Sequence, residues 1–428
     1  MITNIGYTYI SSTAFLLTIS YFLNLSWLYY FSFVALLLIL FEAIIFYSNK
    51  RKLKNLSIKR EMPDKVLQGD KFEVFLKIIN KNNTKVGFLI IKDTVPYGFQ
   101  LEEGHIIFYG ELEKGENTMK YIIYAYQNGL HEFSDVDMSL YDPLMLFVHK
   151  KSYKIRTKIK VIPRTFKISR IPLLSNMIGT ISVHTWKRKG FGSEFYSIRE
   201  YEYGDELKNI SWRSVALSPE RRLYTIQRAE ESKSLFILAI DVSKTMNEGI
   251  EKYRKFDVIS TNVSSFAEFV LSNGDEIHLY LFSKDYLKKI ELKKKEDLYY
   301  MFEILGEIYP SNEKDFTLIS NELKRNYPSK SQIVLISDTN ISLQDFSYLT
   351  NLNNIFDLNL IILEYVHIPY YDAILKSYLD YISISFENTK SQISKSKIKI
   401  IPISNLNLTI TLLKLYLLQK SIVFQYTR

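Results

Sequence analysis

The sequence predicts a multidomain protein: an N-terminal transmembrane α-hairpin, an antiparallel β-sandwich, then an α/β doubly wound, Rossmann-like domain. Three observations predict it. The stretch from about Gly6 to Ser48 is almost wholly apolar, the region after it alternates with a period of two, and the C-terminal half alternates buried strands with helical spacing. The expected segments are 1–50 for the helices, 51–165 for the sandwich, 166–232 for a connecting segment and 233–428 for the α/β domain.

The apolar opening is roughly twice the ~20 residues that one helical span needs. A polar dip at Asn24–Trp27 divides it, so two spans are expected, about 6–24 and 27–47. Tyr9, Tyr21, Trp27, Tyr29, Tyr30 and Tyr47 fall near the expected interfaces, where amphipathic rings collect. A signal peptide would need a basic start and a shorter apolar core; "MITNIGYTYI" carries no basic side chain. Lys50, Arg51, Lys52, Lys54, Lys59 and Arg60 crowd the end of the second span, and positive flanks stay inside. The expectation is a multi-pass cell-membrane protein whose soluble domains are cytoplasmic and which contacts lipid. Glu42, inside the second span, is either a functional intramembrane acid or one that reaches the interface.

From Leu56 to Pro163, "KFEVFLKIIN" sets Phe72, Val74, Leu76 and Ile78 on one face. "GFLIIKDTVP", "MKYIIYAY" and "KIRTKIKVIP" repeat the pattern between turn-rich gaps, as in an antiparallel sandwich. "YDPLMLF" closes one strand with a turn at Asp142-Pro143. No catalytic constellation is visible there, which leaves a spacer or docking role.

Between Lys187 and Glu231, glycines, aromatics, arginines and carboxylates alternate without a clear period. "GDELKNISW" reads as a helix start with Asp205 as N-cap and Glu206 in the first turn, Leu207 and Ile210 facing inward and Trp212 near them. Arg199, Glu202, Asp205 and Arg213 suit an ion-pair network. The same stretch, with Tyr201 and Trp212, equally suits a partner-docking surface, where Arg and aromatics anchor.

After Lys233, "LFILAI", "EIHLYLFS", "QIVLIS", "LNLIILEY" and "KIKIIPI" read as strands. Helices are expected at 253–272, near Glu296–Ile308, near Leu318–Tyr327 and in the terminal "NLNLTITLLKLYLLQ". Ligands of such sheets bind at the carboxyl ends of strands. Asp241, Ser243 and Thr245 follow the first strand and Asp338 ends "QIVLISD". Carboxylates and alcohols are hard donors suited to Mg²⁺ or Mn²⁺. The plainer reading is that Asp241 and Ser243 cap the following turn.

Composition limits the chemistry. With Cys 0, disulfides, iron–sulfur clusters, thiolate zinc sites and cysteine nucleophiles are excluded, and His 6 without paired spacing disfavours imidazole metal sites. The formal net charge of +9 invites nucleic acid, but much of it flanks the apolar segment, so no nucleic-acid partner is expected. No glycine-rich phosphate loop follows any strand.

"GSEFYSIREYEYGDELKNISWRSVA" resembles the signature of the domain-of-unknown-function family number fifty-eight, through Arg199, Tyr201, Gly204, Asp205, Ile210, Trp212 and Ala216. Lys208 stands where that family usually has Arg, and Met145 in "YDPLMLF" where it has Gly. The resemblance implies a membrane-anchored protein with a von Willebrand factor A-like domain. The run Asp241-x-Ser243-x-Thr245 is similar to the metal-ion-dependent adhesion site of such domains. That similarity implies that Thr317 and Asp338 complete the ligand set, with Asp315 a competitor for Thr317's place. It also implies that a partner's carboxylate fills the remaining metal position. The expected function is a non-enzymatic scaffold or adaptor, with a MoxR-type AAA+ ATPase as the partner the family implies. Two alternatives stay open. "DVSKT" also resembles the loop of haloacid-dehalogenase-type phosphatases, although Ser243 replaces its second acid and cannot act as one at neutral pH. The other is an outward-facing adhesion protein of inverted topology, against which the basic flank speaks.

Overall fold

A computed structural model describes residues 1–168, 188–220, 222–230, 233–250, 253–363, 391, 398–403 and 408–425. The chain divides into two compact units: Met1–Arg164 with Glu251–Tyr253 and Glu303–Tyr309, and the remainder.

The first unit begins with two helices, α1 (Asn4–Phe22) and α2 (Ser26–Lys52). Asn24 turns the chain between them in the left-handed region, φ 50°. The residues that α1 buries are Gly6, Thr13 and Ser20, seven apart, and α2 buries Ser32 and Ala35. Small side chains at that spacing let two helices approach closely. Among the described helices, one run, Ser26–Asn55, is long and apolar enough to cross a membrane, with mean hydropathy 2.3. The first helix carries Thr8, Ser11, Ser12, Thr13, Thr18 and Ser20, which lower its apolarity. Glu42 is 7% exposed and its Oε2 has no hydrogen-bond partner. It is buried in the protein rather than reaching the water.

Eleven strands follow in this unit: β1 Leu56–Glu61, β2 Lys65–Leu67, β3 Lys71–Asn80, β4 Val86–Lys92, β5 Phe99–Gly104, β6 Ile107–Leu112, β7 Gly115–Ala125, β8 Gly129–Phe133, β9 Val136–Tyr141, β10 Val148–Tyr153 and β11 Thr157–Ile162. They form two four-stranded antiparallel sheets, β1-β3-β7-β5 and β10-β9-β4-β6, and a three-stranded sheet β2-β11-β8. On β3 the expected residues Phe72, Val74, Leu76 and Ile78 are buried, and Asn80 continues the same face. Leu76 and Ile78 share one core with Leu89 and Ile91 of β4 and Met138 and Leu140 of β9, so inner faces of both four-stranded sheets meet. Phe46 and Leu53, at the end of α2 and just past it, belong to that same core.

The Asp142-Pro143 turn ends β9 as expected. Asp142 accepts from the amides of Leu146 (3.1 Å) and Phe147 (2.6 Å) and so holds the turn closed. Met145, where the resembled family has Gly, sits at φ 56°.

In the second unit the connecting segment is strand-rich, contrary to expectation. Arg188–Glu200 (β12) and Tyr224–Glu230 (β13) form an antiparallel ribbon. Its register shifts near Gly190 and Phe195 explain why no alternation is legible there.

The six-stranded sheet is built from β14 (Leu235–Asp241), β15 (Glu276–Ser283), β16 (Tyr286–Leu292), β17 (Gln332–Asp338), β18 (Asp357–Leu363) and β19 (Lys399–Ile403), in the order β16-β15-β14-β17-β18-β19. All neighbours are parallel except β16, an antiparallel edge strand that the sequence pattern did not announce. β14, β17 and β18 are buried almost throughout, as strands covered on both faces must be. Helices α3 (Trp212–Leu217), α4 (Lys255–Ser272), α5 (Thr317–Asn326), α6 (Leu343–Ile355) and α7 (Leu408–Gln425) accompany the strands. A further helix covers Asp297–Leu305. Helix α6 is not among the expected helices; Ser342 and Asp345 make a reciprocal capping box at its start.

Candidate functional site

β14 and β17 are parallel neighbours in the register Ile237↔Ile333 to Ile240↔Ile336. Each ends in an aspartate, so Asp241 and Asp338 emerge at the same carboxyl edge. Asp241, Ser243 and Asp338 are no more than 1% exposed. The loop after β14 is held by Asp241 itself: its Oδ1 accepts from the Ser243 amide at 2.8 Å. Its Oδ2 accepts from the hydroxyl of Ser337 at 2.7 Å. The hydroxyls of Ser243 and Thr245 lie 3.2 Å apart. A short helical turn, Lys244–Asn247, then carries the chain away.

Two lysines enter this cluster, and no pattern in the sequence marks either. The Lys314 ammonium lies 3.2 Å from Asp241 Oδ2 and pairs closely with Asp338 Oδ1. Lys255, the first residue of α4, places its Nζ 3.1 Å from Asp338 Oδ2 and 3.2 Å from Glu248 Oε2, and donates to the Thr245 carbonyl at 3.3 Å. Both lysine side chains are closed to solvent, 7% and 9% exposed. Burial alone would raise the Asp338 pKa. The Lys314 and Lys255 charges outweigh it and, with a hydrogen bond from Thr245, hold the carboxyl well below the usual carboxylate range. Burial likewise works against the charge on both lysines. Asp241 and Asp338 hold Lys314 above its ordinary value, and Asp338 with Glu248 does the same for Lys255.

Thr317 is placed differently from the other expected ligands. Its hydroxyl donates to Asp315 Oδ1 at 2.5 Å and its amide to the same atom at 2.7 Å. Among the described residues no hydrogen bond joins it to Asp241, Ser243, Thr245 or Asp338, and its partner is Asp315, the expected competitor for its ligand place. The loop before α5 is nevertheless tied to the site, since the Lys244 amide donates to the Asn312 carbonyl at 2.7 Å.

The oxygens of Asp241, Ser243, Thr245 and Asp338 are the hard donors that Mg²⁺ or Mn²⁺ takes. The space between the two carboxylates already receives a cationic group, the Lys314 ammonium, which shows that positive charge fits there. Among the described residues, no three of His, Cys, Asp and Glu gather to hold a metal ion; the oxygen donors beside the two carboxylates are the hydroxyls of Ser243 and Thr245.

In the connecting ribbon, Arg199 pairs with Asp205 at 2.7 Å and Glu202 at 3.3 Å. Asp205 is not an N-cap. Its Oδ2 accepts from the Glu202 amide and the Thr225 hydroxyl, closing the loop onto β13. The helix starts later, at Trp212, capped by Ser211. Arg213 is exposed and, among the described residues, has no ion pair with the network. Ile210 faces inward as expected, but Leu207 (70% exposed) and Trp212 (67%) face solvent, and Tyr201 is half-buried.

No curated protein matches this chain. Solved structures to which it is similar include a CARDB domain from Pyrococcus furiosus (12% identity, 25% of this chain and 94% of that one, TM-score 0.19). A cohesin module from a Clostridium perfringens family 33 glycoside hydrolase is another (13%, 26% and 97%, TM-score 0.18). A third is proximal thread matrix protein 1 from the mussel byssus (13%, 42% and 46%, TM-score 0.26). Similarities this weak assign no fold. Over residues 197–353 the chain matches the model of the family described as Protein of unknown function DUF58, so the ribbon's Arg199, Tyr201, Asp205, Trp212 and Arg213 and the Asp241–Asp338 cluster fall within a single family match.

Proposed function

We propose that the protein is a membrane-anchored adaptor. In this reading the six-stranded unit is a von Willebrand factor A-like domain and the two four-stranded sheets are a β-sandwich. Helices α1 and α2 are two spans of one hairpin, and the basic flank at Lys50–Lys54 keeps the soluble domains cytoplasmic. The strand-end cluster is the gripping element. Asp241, Ser243, Thr245 and Asp338, with Thr317 at the start of α5 or Asp315 just before it, would hold Mg²⁺ or Mn²⁺, and the ion would supply a Lewis-acid position that a partner's carboxylate could fill. The ribbon with Arg199, Tyr201, Asp205, Trp212 and Arg213 offers a second contact surface. A MoxR-type AAA+ ATPase is the partner that the family resemblance suggests. The protein itself is not an enzyme in this reading.

The observation that carries the proposal is the meeting of two buried carboxylates from neighbouring strand ends at one ammonium, with the paired hydroxyls of Ser243 and Thr245 in the loop that follows the first of them. The full chain, solubilised in detergent and used as affinity bait, tests it. At least one partner should be captured with Mg²⁺ and lost both with chelator and with Asp241→Ala. An identical set of captured proteins in all three conditions means that the metal is not what grips.

A further inference from the structure

Building on the metal reading above, we propose that Lys314 is the site's own cation: its ammonium fills the position between Asp241 and Asp338 that a divalent ion takes, so the ion loads only when this side chain swings out.

The two lysines are not equivalent. Lys255 sits on the first turn of a long helix and has other partners in Glu248 and the Thr245 carbonyl, which remain when Asp338 turns to a metal. Lys314 pairs only with the two carboxylates among the described residues. It stands in the loop before α5, between Glu313, 77% exposed, and Asp315. That loop is pinned through its backbone, by Lys244 to Asn312 and Lys284 to Glu313. The Lys314 side chain can therefore leave by rotation while the backbone stays.

Charge requires that something leave. Asp241 and Asp338 carry two negative charges and meet two ammonium groups, so the buried part of the cluster is already balanced; Glu248, which meets Lys255, is 52% exposed and its charge is met by water. A divalent ion added to it would strand two positive charges out of water, which proteins do not tolerate without compensation. Withdrawal of Lys314 removes one charge and vacates the space at once. A partner's carboxylate on the metal would cancel the other. Metal and partner acid would thus bind cooperatively against the lysine, and the resting adaptor would be closed by its own side chain.

Mn²⁺ is the probe, with free ion counted by its electron paramagnetic resonance signal over the full chain in detergent. Lys314→Met should bind Mn²⁺ at least tenfold more tightly than the wild-type chain. Its melting temperature should fall in chelator and recover with Mn²⁺, while that of the wild type barely moves. Lys314→Arg keeps the charge and should bind no more tightly than wild type. Equal tight binding by wild type and Lys314→Met would leave the metal reading standing and remove the lysine from it. Binding by neither, with no recovery of Lys314→Met by Mn²⁺, would overturn both. Should Lys314→Met fail to fold even with Mn²⁺, Lys314→Arg decides: tighter binding than wild type sinks the proposal, weaker or equal binding supports it.

Discussion

The Nζ of Lys314 lies 3.2 Å from Oδ2 of Asp241, with 7% and 0% of the two side chains exposed. A buried pair of this kind is a constraint more than a reserve of stability, because losing one member leaves the other's charge unmatched. Without divalent metal, Lys314→Met should destabilise the six-stranded unit by about 3–5 kcal/mol. Asp241→Asn in the same chain should restore much of that, since the asparagine oxygen still accepts from the Ser243 amide. A double-mutant cycle in thermal unfolding, run in chelator, measures the coupling. Strict additivity of the two changes would mean that the pair does not interact.

The same cluster sets a pH dependence. Asp338 is held well below the usual carboxylate range, so its contribution to stability is present above about pH 4, the unfolded value, and is lost as pH falls through the folded one. Lys314 and Lys255 are held above their ordinary value, so theirs is present below about pH 10 and lost as pH rises through the folded values. In chelator, melting temperature should therefore be flat through the neutral range and fall at both ends. Asp338→Asn should flatten the acid limb. An acid limb unchanged by that substitution would show that other carboxylates set it.

The sequence made the β14 end legible because a continuous apolar run stopped at Asp241, and the β17 end because "QIVLIS" stopped at Asp338 in the same way. Their adjacency was inferred from the order of the elements, and the register bears it out. Lys314 and Lys255 were not legible. Each lies in a polar stretch whose pattern matches any solvated loop or helix start, and only the folded chain turns them inward. Ser337 was hidden for another reason: a serine inside a buried strand reads as filler until its hydroxyl is seen to meet Asp241. Thr317 enters only through family resemblance, and its bonds to Asp315 are side-chain contacts that no sequence pattern announces. The ribbon was missed because its register shifts break the alternation by which strands are recognised.

In the first unit, Arg60 forks onto Asp93 at 2.6 and 3.1 Å, with both side chains fully buried. Arg60 also donates to the carbonyls of Ile155 and Ser134, and the Tyr121 hydroxyl donates to Asp93 at 2.7 Å. Burial, and then the Asp93 charge, push the Tyr121 phenol above its usual range. Asp93→Ala should cost about 3–5 kcal/mol, because an arginine is left buried without its partner. Tyr121→Phe should cost about 1–3 kcal/mol. Chemical denaturation followed by near-ultraviolet circular dichroism gives both. A loss below about 1 kcal/mol for Asp93→Ala would mean that water reaches Arg60 in the folded state.

Met145 holds a left-handed backbone, φ 56°, with about half of its side chain exposed. An L-residue pays roughly 1–2 kcal/mol to stand there, and glycine does not. Met145→Gly should stabilise the turn by about 0.5–1 kcal/mol after the unfolded-state entropy of glycine is counted. A rise in melting temperature is the expected result. A fall would show that the exposed methionine packs on something worth more than the strain.

Leu207, Trp212 and Tyr203 stand out from the signature segment, Tyr203 fully exposed. Residues this exposed contribute little to folding, so Trp212→Ala should change stability by no more than about 0.5 kcal/mol. The same substitution should weaken partner capture if this surface is a contact, because exposed aromatics beside arginines are common anchors of protein interfaces. Asp205→Ala should act differently. It removes the bonds to Arg199 and Thr225 that shape the loop, so it should lower both stability and capture. Melting curves and affinity capture on the two variants separate the roles. Trp212→Ala that unfolds the protein would assign the residue to the fold, and capture unchanged by either variant would move the partner's footprint elsewhere.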